Sequence, residues 1–315
     1  MSSKVDQRTA LTADEAAAVL SLASAAGDTD GAFPLSEHTV LHLRHGGDTP
    51  SVHLIAHDEH GDLAGYAHVD TTDGVDGPSA ELVVHPLARR HGLGRALTLA
   101  ALTAAAEADP SGRLRLWAHG DHPSASALAL SLGFQRARVL WQMRRSLYAE
   151  VPQPVLPGGV VVRPFRPGDD EQPWLDLNAR AFADHPEQGR WSLCDLHVRM
   201  AEPWFDPEGF LLAERDGRLV GFHWTKVHGE LRGEGADGAG HDHDPIGEVY
   251  VLGVDPDAHG GGLGRALTAA GLRHLRARGL DQVMLYVDES NQAATSLYTR
   301  LGFSRWSTDV LFQRI

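Results

Sequence analysis

The strongest constraint on this chain is that part of it is written twice. Gly92-Leu93-Gly94-Arg95-Ala96-Leu97-Thr98 recurs letter for letter as Gly262-Leu263-Gly264-Arg265-Ala266-Leu267-Thr268, 170 residues further on. Upstream, Val84-His85-Pro86 is matched by Val254-Asp255-Pro256 at the same offset. Downstream, Leu132-Gly133-Phe134 is matched by Leu301-Gly302-Phe303 at an offset of 169. Three blocks in one order indicate two copies of a single domain. The length of 315 residues agrees, because domains commonly run to about 100–200 residues. The expected division is a first domain over 1–150, a linker over 151–159 and a second domain over 160–315. The linker, Val151-Pro152-Gln153-Pro154-Val155-Leu156-Pro157-Gly158-Gly159, is rich in Pro and Gly and has no strand or helix period.

Both copies suggest one order of elements. Thr12 before Ala13-Asp14-Glu15 reads as a helix cap. Ser51 to His57 and Leu63 to Val69 read as strands around a His60-Gly61-Asp62 turn. Glu81 to His85 is a further strand, which runs through a glycine loop into a helix ending near Glu107. Leu114 to Ala118 is the next strand, and a helix over Ser124 to Leu132 stops at Gly133. The second copy repeats the series with strands at Gly209 to Glu214, Leu219 to Val227, Glu248 to Val254 and Gln282 to Val287. The predicted class is α+β (mixed α/β), each copy a mixed central sheet flanked by helices.

Composition narrows the partners. Lys and Arg total 28 against 42 Asp and Glu, a formal net charge of -14. That is no electrostatic footprint for nucleic acid or an anionic membrane. The single cysteine, Cys194, forms no intramolecular disulfide. It lies in an amphipathic stretch, Leu193 to Met200, and is expected to be buried. No apolar run reaches the roughly 18–20 residues of a membrane span, and Met1 to Thr9 lack an apolar signal core. A cytoplasmic monomer is the expectation.

The duplicated loops carry the chemistry. Each follows a strand and a Pro, contains Gly-x-Gly, and opens a long helix. The first N–H groups of a helix lack internal partners and lie at the positive end of its dipole. Glycines let an anion approach them, so the loops suit a phosphorylated ligand. A turn that merely starts a helix gives the same letters. No Gly-Lys-Ser/Thr follows, which excludes a Walker loop. The loop comes late in each copy, which disfavours a dinucleotide fold.

Val83-Val84-His85-Pro86 followed by Arg89-Arg90-His91-Gly92-Leu93-Gly94 resembles the acetyl-CoA motif of the GNAT acyltransferase superfamily. Asn291-Gln292-Ala293-Ala294, leading to Tyr298 and Leu301-Gly302-Phe303, is similar to the motif that follows it there. The resemblance covers both halves and implies two tandem GNAT domains with acetyl-CoA as co-substrate. It would place the co-substrate on Leu82, Val83, Val84, Arg90, His91, Gly92, Leu93, Gly94 and Arg95 in the first copy. In the second it implies Leu252, Gly253, Val254, His259, Gly260, Gly261, Gly262, Leu263, Gly264 and Arg265, with Asn291, Gln292, Ala293, Ala294, Thr295 and Ser296.

Longer blocks narrow the likeness: Trp117-Ala118-His119-Gly120, His185-Pro186-Glu187-Gln188-Gly189, Trp204-Phe205-Asp206-Pro207, Gly221 to His228, and Gly247 to Val254. They resemble tandem GNAT enzymes that acetylate the cysteinyl amine of cysteinyl-glucosaminyl-inositol, a small thiol-sugar. That resemblance implies Glu37, Glu187, Lys226, Glu248 and Tyr286 as acceptor contacts.

Comparison of the copies separates them. At offset 169, Tyr286 faces Trp117, Asn291 faces His122 and Tyr298 faces Ala129; at 170, Glu248 faces Pro78. The second copy thus has a carboxylate and a phenol where the first has neither. An amine must be neutral to attack a thioester, and the departing thiolate benefits from a proton. Glu248 is therefore the candidate general base and Tyr298 the candidate general acid, and the resemblance points to the same pair. The first domain, with Arg89 and Arg90 supporting its loop, is expected to bind acetyl-CoA without catalysis. The second loop, His259-Gly260-Gly261-Gly262, departs from the family's basic pattern. Lost charge and three flexible glycines predict weaker CoA affinity, with Gly260→Arg as the compensating change.

Among 19 His, the densest cluster is His241-Asp242-His243-Asp244. It sits in a Gly- and Asp-rich insertion and reads as an acidic loop, so no metal is expected. Two other activities compete: a tandem acetyltransferase for an aminoglycoside or protein amine, and a non-catalytic acyl-CoA sensor.

Overall fold

Local signals start most elements where the sequence places them. Thr12 and Glu15 form a reciprocal capping box, and Ser36 and Ser192 cap two further helices through their hydroxyls. The computed structural model describes residues 5–46, 51–183, 188–229 and 244–314. In chain order the first half holds β1 (Val5–Arg8), α1 (Ala13–Asp30), α2 (Glu37–His45), β2 (Ser51–His57), β3 (Leu63–Asp70), β4 (Ser79–Val84), α3 (Leu93–Ala108), β5 (Leu114–Ala118) and α4 (Pro123–Ser131). There follow β6 (Gln135–Ser146), β7 (Val160–Pro164), α5 (Glu171–Ala181), α6 (Leu193–Met200), β8 (Phe210–Arg215), β9 (Arg218–His228) and β10 (Ile246–Val254). The chain ends with α7 (Leu263–Ala277), β11 (Gln282–Asp288), α8 (Gln292–Arg300) and β12 (Ser304–Arg314).

Internal contacts define two units. One comprises Met1–Trp141, Asp288–Ser290 and Ser307–Ile315; the other comprises Gln142–Val287 and Asn291–Trp306. The units are therefore not two consecutive stretches of chain. Segment 151–157 has no regular structure.

The first unit's sheet runs β1-β2-β3-β4-β5-β12. Its pairs are antiparallel apart from the parallel β4–β5 pair. Period-two alternation divides its side chains between two faces. Leu54 and Ala56 pack with Leu93, Leu97 and Ala101 of α3 and with Val310 and Phe312 of β12. Ile55 and Tyr66 pack with Val19, Leu22 and Ala26 of α1 and Leu43 of α2. The second unit's sheet runs β6-β11-β10-β9-β8-β7, with β10 and β11 parallel. Trp174, Leu177 and Leu196 from α5 and α6 cover one face through Phe210, Phe222 and Trp224. Leu263 and Leu267 of α7 belong to a second cluster with Val160 and Ala213. Each unit is a mixed sheet flanked by helices.

Candidate active site

The glycine loops have one geometry in both units. Gly92 (φ 86°) and Gly262 (φ 80°) cap α3 and α7 in the left-handed region, with no side-chain capping bond. The next N–H groups of each helix therefore remain available for an anion. A Cβ on Gly92, Gly260 or Gly262 would meet nothing within 4 Å, so the space before each helix is open. One position before the Gly-x-Gly differs. Arg90 holds a left-handed φ of 69° in the first unit, where the second unit has Gly260 at 86°.

The position before that is a tether. Arg89 Nε donates to Val84 O (3.1 Å), and its other guanidinium nitrogens clamp Asp30 at 2.7 and 2.8 Å. This corrects the expectation that Arg89 supports a phosphate: its donors hold the loop to the strand end and to α1. In the second unit, His259 Nε2 reaches Val254 O at 3.1 Å, the same carbonyl by position. Leu82, Val83 and Val84 end β4, and Leu252, Gly253 and Val254 end β10, so both sets lead into their loops. His91, Leu93, Gly94 and Arg95 lie in or just after the first loop; Gly261, Leu263, Gly264 and Arg265 repeat that placement. Asn291 caps α8 by accepting from Ala294 N (3.0 Å), and Gln292, Ala293, Thr295 and Ser296 make the first turns behind it.

Glu248 lies on β10, directly opposite Lys226 on β9, and both are buried. A bulge between Val249 and Val251 inserts Tyr250. Bulges bend a strand and re-aim its side chains, and β4 pairs with β3 without one. The bulge also corrects the copy-to-copy alignment. Glu248 pairs with Met284, as Ser79 pairs with Arg115, so the counterpart of Glu248 is Ser79 and not Pro78. No carboxylate stands there in the first unit.

Aromatic rings line this part of the second unit. The Lys226 ammonium lies 4.6 Å from the Trp204 ring centre and 5.2 Å from that of Tyr250. Arg199 stacks over Trp191 at 3.9 Å and donates from Nε to the Tyr250 hydroxyl at 2.9 Å. His228 Nε2 sits 2.6 Å from Glu248 Oε2. Tyr286, half exposed on β11, accepts from Gln142 Nε2 at 2.8 Å, and Gln142 Oε1 accepts from Arg144 Nε at 2.9 Å. Tyr298 is buried on α8, with its ring 5.7 Å edge-on from Phe303. Burial pushes its phenol up to about 12, so it holds its proton at neutral pH. Glu37 opens α2 in the first unit. Glu187 and the His241 to His243 cluster lie outside the described residues.

The first unit uses its polar groups differently. His119 Nδ1 and Nε2 lie 3.1 Å from Asp309 and 3.3 Å from Glu81. Gly120 N donates to Asp309 (2.9 Å), and Ser36 N donates to Glu81 (2.8 Å). Burial opposes charge on His119, but the two carboxylates outweigh it and raise the imidazole to about 10. Burial likewise opposes charge on Glu81, and the His119 contact overcomes it, lowering the carboxyl to about 2.

Cys194 is exposed on α6, which corrects the expectation of burial. The helix buries Leu196 and Arg199 instead. Sequence reasoning missed His228 and Gln142. His228 had a signal: Trp224, Lys226 and His228 alternate on one face of a strand. Among the described residues, no group of His, Cys, Asp and Glu could hold a metal ion. Among them, too, no helix is long and apolar enough to cross a membrane.

Comparison with known proteins adds three findings. Residues 172–303 match the acetyltransferase (GNAT) family model, and residues 49–136 match an acetyltransferase (GNAT) domain model. The chain is 60% identical over 299 residues to the mycothiol acetyltransferase of Acidothermus cellulolyticus, covering 94% of this chain and 90% of the relative. It is also 60% identical over 315 residues to that of Salinispora arenicola, covering 99% and 97%. A solved GCN5-related N-acetyltransferase from Sphaerobacter thermophilus superposes with a TM-score of 0.69 at 26% identity, covering 98% of this chain and 95% of that one. A tandem GNAT protein from the clavulanic acid biosynthesis pathway shares the fold, with a TM-score of 0.72 at 20% identity over 99% and 98%.

Proposed function

The chain belongs to the GNAT acetyltransferases and, within them, to the mycothiol acetyltransferase family, and from that premise we propose that it acetylates desacetylmycothiol. The acceptor is 1D-myo-inositol 2-(L-cysteinylamino)-2-deoxy-glucopyranoside, and the products are mycothiol and CoA. The cysteinyl nitrogen attacks the thioester carbonyl; a C–N bond forms and the C–S bond breaks. One amine proton leaves to a base, and the CoA thiolate takes a proton.

The observation that carries this reading is the buried Glu248 in the second unit, held by His228 and facing Lys226 across the strand pair. A carboxylate is base enough here. A reference α-amine has a pKa of about 7.7–8.0, so deprotonating it at pH 7 costs only about 1 kcal/mol. Tyr298 keeps its proton and is our candidate donor to the thiolate. The open, uncapped start of α7, with Leu252 to Val254 and the first turns of α8, is the surface we assign to acetyl-CoA. Lys226 and Tyr286 are our acceptor contacts, and Glu187 and Glu37 join them by resemblance alone.

The test is product mass spectrometry with acetyl-CoA and the cysteinyl-glucosaminyl-inositol acceptor. A gain of one acetyl group is expected. No product with that acceptor, but acetylation of an aminoglycoside or a peptide amine, would overturn the acceptor assignment. For the first unit we propose acetyl-CoA binding without transfer. Its loop repeats the second unit's geometry, while Ala129 offers no proton and Glu81 is held by His119. A calorimetric stoichiometry of two per full chain is expected, and a stoichiometry of one would refute it. The full chain is required, because β12 belongs to the first unit's sheet.

A further inference from the structure

We propose that His228 is a positioning residue for the acetyl transfer, one that fixes the carboxylate of Glu248 so that its other oxygen faces the acceptor amine. This rests on the reading of Glu248 as the general base. His228 stands two residues beyond Lys226 on β9, so both side chains leave the same face of the strand. Its Nε2 is 2.6 Å from Glu248 Oε2, a close hydrogen-bond contact. A carboxylate only accepts, so the imidazole N–H donates and the ring carries the Nε2 proton.

Geometry makes this bond decisive for the carboxylate's aim. Glu248 is buried, while the His228 side chain is 35% exposed. The ring, the more exposed of the two side chains, therefore holds the buried carboxylate from the side nearer solvent. Oε2 is engaged. Among the described residues Oε1 accepts no hydrogen bond. The carboxylate consequently has one oxygen fixed by the protein and one left for a proton from substrate. Without the ring, Glu248 gains rotamer freedom and its exposed side admits water. Both effects lower the fraction of time in which the base points at the amine.

The experiment compares full-length wild type with His228→Ala, His228→Gln and Glu248→Gln in steady-state acetylation of desacetylmycothiol. General bases contribute roughly 10²–10⁴-fold, and loss of orientation alone should forfeit part of that. His228→Ala is expected to lower kcat by about 10-fold, with the acceptor KM changed by less than about 3-fold. His228→Gln retains an N–H donor at similar reach and should recover most of the loss. A role in packing alone would not show this split or this rescue. Unchanged kcat in His228→Ala overturns the positioning role. So does a His228→Gln variant that folds with the wild-type melting temperature yet is as slow as His228→Ala. Glu248→Gln keeps the two readings apart. If it loses activity while His228→Ala does not, only the role of His228 falls. If Glu248→Gln keeps full activity, the base assignment falls and the positioning role falls with it.

Discussion

A cation placed in the second glycine loop should tighten CoA binding, and the backbone decides at which glycine. Gly260 is the position the sequence suggests, because Arg90 stands there in the first unit. Gly260, however, has φ 86°, and a non-glycine residue in the left-handed region costs on the order of 1–3 kcal/mol. An exposed guanidinium beside a phosphate contributes only about 0.2–1 kcal/mol. A strained residue at Gly260 favours a free loop that has left this conformation, and restoring it on binding offsets the gain. Gly261 has no positive φ, and a Cβ there meets only Pro157 Cγ at 3.6 Å and Cβ at 3.8 Å, ordinary contacts. Gly261→Arg should retain the whole benefit. At up to about 1 kcal/mol that is roughly 2- to 5-fold. The assay is competitive inhibition by a CoA analogue lacking the thiol, measured against acetyl-CoA during turnover, which reads the catalytic unit alone. Gly261→Arg should lower the inhibition constant by that factor at low salt, and the gain should vanish near 1 M salt, where the screening length is about 3 Å. Gly260→Arg should leave the constant unchanged or raise it. No tightening by Gly261→Arg at low salt, or tighter binding by Gly260→Arg than by Gly261→Arg, would refute the reasoning.

Other outcomes follow from the same geometry. Tyr298→Phe should lower kcat by about 100-fold with little change in either KM if the phenol protonates the thiolate; steady-state kinetics checks this. Burial raises the Tyr298 phenol from 10 to about 12, so the stability it contributes is complete below pH 10 and lost as pH rises towards 12. Alkaline unfolding followed by circular dichroism should accordingly shift upward in Tyr298→Phe. Asp309→Ala should destabilise the first unit by about 3–5 kcal/mol, since it leaves buried His119 with one counter-charge. His119 is raised from 6.5 to about 10, so that penalty should be full below pH 6.5 and fade as pH climbs through 10. Urea unfolding read through Trp117, which stacks on His119, tests both size and sign. A chain ending at Trp306 should lose the first unit's protection from proteolysis, because β12 forms part of its sheet and core.

Element bounds were legible where the signal is local. Ser51–His57 and Leu114–Ala118 are strands as read, and the stretch read as amphipathic, Leu193 to Met200, is α6. The periodicity of α6 misled at Cys194, because the buried side of that helix is completed by Arg199, whose guanidinium lies on Trp191. Pairing between strands is a non-local choice, so no sequence pattern revealed that β12 completes the first unit's sheet. The bulge at Tyr250 was equally silent: Glu248-Val249-Tyr250-Val251-Leu252 reads as an unbroken strand. Its one extra residue is why counting from the loops set Glu248 against Pro78. The loops themselves were legible because glycine at a left-handed helix start is a local demand of the backbone. Partners brought together by folding, such as His228 with Glu248 or Asp309 with His119, were not.

The two copies diverge less in fold than in how each leaves its buried carboxylate. In the first unit both oxygens of Glu81 are committed: Oε1 to His119 and Oε2 to the Ser36 N–H. His119 is in turn held by Asp309, and the ion cluster lowers Glu81 to about 2. Such a group cannot accept a proton from an amine near neutral pH without dismantling the cluster. In the second unit one ring nitrogen holds one oxygen of Glu248, and the facing cation, Lys226, is drawn onto the faces of Trp204 and Tyr250. A carboxylate fixed at one oxygen and open at the other is oriented and can still accept a hydrogen bond from substrate. The difference between a stabilising ion cluster and a proton acceptor thus comes down to which of two oxygens the fold has already used.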